Sequence, residues 1–368
     1  LQTYGEELMQ NKIGAIVAIE PSTGEILSLV SAPTYNPNLL IGRKRSDNYK
    51  ILSEDENKPL FNRALQGTYP PGSTFKLING LIALQEKSVT KNKLFGCNGD
   101  NGYSYGRDRY VGCHPHQNPI ELEKGVEISC NSYFCHLYDS YFNQFESTIS
   151  AYDNWHNHVA SFGIGNYMNN DFTTGSPGKL PKSSYFEKLY RGSWNANTII
   201  SMAIGQGELL LTPIQMANMT AIIANRGFYY TPHIIKEISE QESIDTNFIK
   251  KRYCSIEQKH FTPIINGMQK VIEGKDGTAQ NSKIPDLEIC GKTGTAQNPH
   301  GEDHSIFIAF APKDNPKIAI AVYVENGGWG STWAAPIASL MIGKYLNKSI
   351  NNKNLEEFIL NGKLISEK

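Results

Sequence analysis

The chain has 368 residues, 39% apolar and 19% charged, with 35 basic and 36 acidic side chains and a net charge of −1. This is an ordinary globular composition, large enough for two or three domains or one composite domain. The even charge gives no reason to expect nucleic acid or an anionic membrane surface as partner, and no run reaches the roughly 18 consecutive apolar residues of a membrane helix.

The chain opens at Leu1-Gln-Thr-Tyr-Gly without an initiator Met or a signal-like segment, so it reads as a piece of a longer protein. Residues 13–19 and 25–31 are rich in Ile and Val and flank Pro21-Ser-Thr-Gly24, which predicts two antiparallel strands around a tight turn. Tyr69-Pro-Pro-Gly-Ser73-Thr-Phe-Lys76 follows. Two prolines and a glycine stop any earlier helix, and the apolar spacing over 75–85 predicts a new helix that begins at Ser73. Lys76 then lies on the same face as Ser73, one turn later. A serine hydroxyl needs an adjacent base to act as a nucleophile. A lysine serves only if burial or the positive end of a helix dipole lowers its pKa. The Ser73 N–H at the same helix start can also face a developing oxyanion. Taken alone, the pair is equally a helix cap followed by a solvated lysine.

Six cysteines are too few for a disulfide scaffold, yet four of them fall between residues 97 and 135. Cys113-His-Pro-His116 has a spacing suited to two ligands of one metal. Cys97 and Cys130 would complete a structural Cys₃His zinc site, with His114 as the alternative imidazole. A Cys97–Cys113 disulfide and simple buried thiols are the competing readings. Cys135, Cys254 and Cys290 read as core residues. Cys130 is also the centre of Ser129-Cys130-Asn131, which alone would be a polar turn.

Residues 166–184 and 239–255 are polar surface excursions, the first a candidate cover for a site. Residues 213–225 form the best-punctuated helix, with Thr212 as N-cap, Pro213 at its first position and Gly227 beyond its end. A strand predicted over 287–295 ends in Gly291-Lys292-Thr293-Gly294-Thr295, where the glycines allow a ligand to approach closely. Strands over 305–311 and 318–325 and a helix over 335–346 complete the chain. His304 is read as capping a turn rather than lining a cleft. The outcome is an α/β (α+β) fold, with a central antiparallel sheet built from both chain ends (about 1–60 and 285–368), flanked by helices, and a helical insert (about 61–284). A cleft between sheet and insert is the natural place for a site.

An S-x-x-K, an S-x-N and a K-T-G in that order are the signature of penicillin-binding proteins and class A β-lactamases. The chain resembles the transpeptidase domain of class B penicillin-binding proteins, most closely the penicillin-binding protein 2 group of cell elongation. Beyond the three motifs, the resemblance rests on Gly14–Pro21 with Thr23–Ile26, Gly205-Gln-Gly-Glu-Leu209 with Thr212-Pro213, and Phe307–Pro312. It implies a penicillin-binding transpeptidase (serine β-lactamase-like) fold, preceded in the longer protein by a membrane helix and a non-catalytic pedestal at the periplasmic face of the inner membrane.

The resemblance also implies that Ser73 is acylated by a peptidoglycan stem peptide, with Lys76 as base. Ser129 relays a proton, Asn131 positions Lys76 and substrate, and Lys292 gives electrostatic support. Thr293, Gly294 and Thr295 form the substrate strand. It implies β-lactam inhibition, no catalytic cofactor, a zinc between the first two motifs in some members, a membrane glycosyltransferase as partner, and no nucleic acid. A serine β-lactamase would need a water-activating Glu loop, which is not evident, and Asn131 argues against class D enzymes and sensor domains. A septal transpeptidase is the nearest rival. Tyr69-Pro-Pro-Gly, the Gly205 run and the Cys/His cluster favour the elongation type.

Overall fold

Strands from the two ends of the chain meet in one five-stranded sheet in the computed structural model, which describes residues 1–238, 245–349 and 352–365. β1 (Gly14–Ile19) and β2 (Ile26–Ala32) come from the beginning; β3 (Cys290–Ala296), β4 (His304–Ala311) and β5 (Ile318–Val324) come from the end. The order is β2-β1-β5-β4-β3 and every pairing is antiparallel. The seam between the two ends runs from Gly14 opposite Val324 to Ile19 opposite Ala319. The sheet expected from both chain ends is therefore present, with β3 as its edge strand. β3 begins at Cys290 rather than 287, because residues 284–287 close a turn (Leu287 N donates to the Ile284 carbonyl) with Asp286 at φ 61°.

β1 and β5 are buried at every residue and β4 at all but its first, so cover is needed on both faces of the sheet. That accounts for their unbroken apolar runs. Only β2 shows the period-two burial of a half-exposed strand. The helices used below are α1 (Lys76–Gln85), α2 (Leu122–Glu127), α3 (Asn131–Phe142), α4 (Pro213–Ala224), α5 (Phe261–Glu273) and α6 (Ala334–Asn347). α4 packs on β1 and β5, and α6 on β4 and β5. The α4 start is the expected one. Thr212 Oγ1 accepts from Gln215 N at 3.3 Å, and Gln215 Oε1 accepts from Thr212 N at 3.0 Å, a reciprocal capping box. The left-handed turn after α4 falls first on Arg226 (φ 60°) and then on Gly227.

Part of the second polar excursion, 239–244, lies outside the described residues; the remainder holds Thr246–Ile249 as a helical turn and Arg252–Tyr253 as a short strand. Among the described residues no helix is long and apolar enough to cross a membrane.

Candidate active site

The first motif departs from expectation in one respect. Residues Gly72–Phe75 form a 3₁₀ turn, and the α-helix begins only at Lys76. Thr74 Oγ1 closes the turn on the Pro71 carbonyl at 2.7 Å, and Gly72 N donates to the Gly205 carbonyl at 2.9 Å. Gly72 is at φ 55°, and a Cβ there would lie 2.7 Å from the Thr295 carbonyl oxygen. Only glycine lets the turn lie this close to β3. Ser73 is thereby delivered to the edge strand, half-exposed, with no side-chain hydrogen bond among the described residues.

Lys76 is completely buried. Its Nζ lies 2.5 Å from Asn131 Oδ1, 2.7 Å from the Ser129 carbonyl and 3.3 Å from Ser129 Oγ. Burial pushes its pKa down to about 8, opposed by negative charge at Cys130 and Cys113. The two nearest partners only accept, so the two N–H groups of a neutral amine satisfy them and leave its lone pair for a hydroxyl.

Ser129 occupies the single-residue gap between the end of α2 at Ile128 and the cap of α3 at Cys130. Its φ is 57°, a conformation that is costly for a residue with a Cβ and is held here by its neighbours. Cys130 N donates to the Gly125 carbonyl at 3.0 Å, while Cys130 Sγ caps α3 by accepting from Tyr133 N at 3.3 Å.

On β3, Lys292 is fully buried and donates to the Thr293 carbonyl at 3.1 Å. Burial, reinforced by the positive charge of Lys76, holds its pKa well below the usual lysine value. Ser73, Ser129, Asn131, Thr293, Gly294 and Thr295 all line one cleft of about 550 Å³. Three motifs separated in sequence thus share one hollow.

Several lining residues were not singled out from the sequence. Gln206 Nε2 donates to the Thr295 carbonyl at 3.1 Å, and Thr278 Oγ1 lies 2.7 Å from Thr293 Oγ1. Trp329, Gly330 and Ser331 form a rim, with Trp329 73% exposed. The signals were present as Gly-rich runs around Gly277-Thr278 and Gly327-Gly-Trp-Gly330, but they carried no chemistry by themselves. The excursion at 166–184 contributes nothing to the lining of this cleft. It borders a separate hollow beside Leu65, Gln66 and Ile214, so it is not the cover suggested by its composition. His304 takes the turn role: its Nδ1 accepts from Asn326 N at 3.0 Å.

The cysteine–histidine set also converges. One ligand atom each from Cys97, Cys113, His116 and Cys130 lies within 4.8 Å of all the others. Cys113 and Cys130 sulfurs are 3.7 Å apart, and His116 Nε2 is 3.2 Å from Cys130 Sγ and 4.0 Å from Cys113 Sγ. A tetrahedral zinc with Zn–S bonds of about 2.3 Å asks for S···S edges of about 3.8 Å, so the set fits. His116 Nδ1 donates to the Gln117 carbonyl at 2.8 Å, which turns the Nε2 lone pair toward the sulfurs. A hydrogen bond from Cys130 draws Cys113 toward thiolate and pushes Cys130 up. All six cysteines are free, which disfavours the Cys97–Cys113 disulfide; Cys135, Cys254 and Cys290 are buried, as expected. His114 instead lines the cleft.

A serine in the turn just before a buried lysine at the start of α1, set against the K-T-G edge of a sheet assembled from both chain ends, is the arrangement of penicillin-interacting serine enzymes. Residues 14–342 match the model of the penicillin binding protein transpeptidase domain, and the chain belongs to that family. It is 31% identical over 372 residues to the peptidoglycan D,D-transpeptidase MrdA of Haemophilus influenzae, covering 95% of this chain and 55% of that protein. Among solved structures, it is similar to Pseudomonas aeruginosa PBP2 in complex with WCK 5153 (TM-score 0.81, 34% identity, covering 94% of this chain and 76% of that one). It is also similar to the imipenem acyl-enzyme complex of penicillin-binding protein A from M. tuberculosis (TM-score 0.76, 28% identity, covering 94% and 77%). The resemblance to the penicillin-binding protein 2 group is borne out. The chain spans about half the length of the curated relatives it matches.

Proposed function

We propose that this chain is the D,D-transpeptidase unit of a cell-elongation enzyme, cross-linking peptidoglycan stem peptides through an acyl-enzyme on Ser73. The observation that carries the reading is the buried Lys76, held by Ser129 and Asn131, which line the same cleft as Ser73. Ser73 Oγ attacks the carbonyl of the penultimate D-Ala and its proton passes to Lys76. The C–N bond then breaks, Ser129 relays the proton to the leaving D-Ala amine, and an amine of a neighbouring stem takes the acyl group, restoring Ser73. The N–H groups of Ser73 and Thr295 face the oxyanion. Thr293 and Thr295 bind the terminal carboxylate, and Lys292 adds positive charge that the bound anion itself stabilises.

The names of the similar proteins support this reading, as does the acyl-enzyme formed by the mycobacterial relative with imipenem. We place the sheet part at about 1–60 and 285–368, the helical insert between them, and the longer protein at the periplasmic face of the inner membrane with a glycosyltransferase partner. Cys97, Cys113, His116 and Cys130 would hold a zinc whose chemistry is structural, binding the loop of the second motif in place.

Ser73→Ala abolishes labelling by a fluorescent penicillin, and intact protein gains one penicilloyl mass on Ser73. Labelling that survives the substitution overturns the assignment. An adduct lasting minutes or more fits a synthase, and rapid turnover a β-lactamase. Depletion in the host produces rounded cells; filaments would favour the septal reading.

A further inference from the structure

We infer that Thr278 is a positioning residue for the donor peptide's C-terminal carboxylate, acting through the hydroxyl of Thr293. The inference rests on the reading of Ser73 and β3 given above, and adds a residue from outside the three motifs.

The two hydroxyl oxygens lie 2.7 Å apart, and Thr278 also lines the cleft. A pair of hydroxyls at this distance shares one hydrogen bond, which occupies one of its two protons. When Thr278 donates to Thr293 Oγ1, the Thr293 proton is turned outward to an acceptor in the cleft, and donation along the pair strengthens it. An anion is the acceptor that fits. Next to Thr293 on the strand is the fully buried Lys292, whose amine makes its only side-chain hydrogen bond among the described residues to the Thr293 carbonyl. A carboxylate seated over Thr293 meets a polarised hydroxyl, and its charge favours the protonated form of the neighbouring buried Lys292.

Thr278 is presented by a turn with little freedom. A Cβ at Gly277 would lie 2.4 Å from the carbonyls of both Lys270 and Val271, so the chain is pressed against the end of α5 as only glycine allows. Gly277 N donates to the Gly274 carbonyl and Ala279 N to that of Val271, each at 3.0 Å. Beyond it, Asn281 Nδ2 donates to the Ser331 carbonyl on the cleft rim at 2.9 Å, and Ser339 Oγ on α6 donates to the Ser282 carbonyl at 2.6 Å. A hydroxyl pinned in this way sets the rotamer of Thr293 at no further ordering cost when substrate binds.

The test is acylation by benzylpenicillin, whose carboxylate stands in for that of the peptide, followed over a concentration series in wild type, Thr278→Val and Thr278→Ser. Valine keeps the shape and removes the hydroxyl; serine keeps the hydroxyl. Thr278→Val is expected to raise the half-saturating concentration about tenfold with the saturating rate within twofold of wild type. Thr278→Ser is expected to stay within twofold in both. An unchanged half-saturation in Thr278→Val overturns the proposal, as does an equal rise in both variants or a loss confined to the saturating rate. Failure of the wild type to be acylated at all would overturn the underlying reading of Ser73, a result distinct from each of these.

Discussion

Asn131 holds Lys76 from one side and the cysteine–histidine loop from the other: its Oδ1 lies 2.5 Å from Lys76 Nζ, and its Nδ2 donates to the Gly112 carbonyl at 2.8 Å. Gly112 precedes Cys113. The Asn131 amide thus bridges the lysine and the loop that carries the thiol cluster.

Acylation should rise with pH through the titration of Lys76. Burial lowers its pKa from 10.5 to about 8, and only the neutral amine accepts the Ser73 proton. Below about pH 8 the acylation rate should climb nearly tenfold per pH unit, then level off, as read by stopped-flow with a chromogenic β-lactam. A flat profile between pH 7 and 9 would remove Lys76 from the role of base. The same shift makes the fold more stable as pH rises from about 8 to 10.5, since the unfolded chain keeps the proton over that range.

Purified protein should contain close to one zinc per chain. Binding at a thousandfold excess over Kd is worth about 4 kcal/mol, so chelation should lower Tm by several degrees. It should also slow acylation, because Gly112 and Asn131 lose a fixed neighbour. Less than half an equivalent of zinc, with Tm unmoved by chelator, would dismiss the metal. Wild-type acylation after complete zinc loss would show that the Asn131 link does not transmit.

Gly72→Ala should cost about 1–3 kcal/mol and slow acylation further than that loss of folded protein explains. The added methyl meets the Thr295 carbonyl oxygen at 2.7 Å with φ at 55°, so the turn carrying Ser73 must move off β3. Thermal melts and acylation rates measured on the folded fraction give both quantities. Wild-type values would mean that the contact relaxes freely.

Arg63→Ala should destabilise the fold by about 3 kcal/mol in urea unfolding. Arg63 is 4% exposed and donates to Glu325 Oε1 at 2.9 Å and to the carbonyls of Asn57 and Lys58. Without it, Glu325 keeps only the Tyr69 hydroxyl at 2.7 Å among the described residues. A loss below 1 kcal/mol would show that water reaches the carboxylate and replaces the guanidinium.

The legible parts of the fold are those governed by neighbours in sequence. The Ile/Val runs at 13–19, 305–311 and 318–325 read as strands because each is apolar on both faces, and Thr212-Pro213 with Gln215 is a local cap. The 3₁₀ turn at Gly72–Phe75 was not legible, since residues three apart share a face in either helix type; the turn is imposed by the Thr295 carbonyl, more than two hundred positions away. The left-handed Ser129 also escapes a propensity argument, because serine does not favour that conformation and takes it here only between two anchored helices. Thr278 was missed for a related reason: no spacing rule joins it to Thr293, 15 residues on, across a helix end and a strand.

By itself, the sequence determined which side chains are proposed to carry chemistry, the order in which they come and the elements that bear them. Short-range rules of spacing, capping and alternation act over one turn or one strand, and Ser73, Lys76, Ser129, Asn131, Lys292 and the cysteine–histidine set are all visible on that scale. Tertiary structure alone decided distance and environment. Lys76 lies 2.5 Å from Asn131 Oδ1, fully buried, with Thr278 against Thr293 across the same cleft. Those relations depend on how α1, α3, α5 and β3 pack together, a sum over many long-range contacts that no local pattern contains.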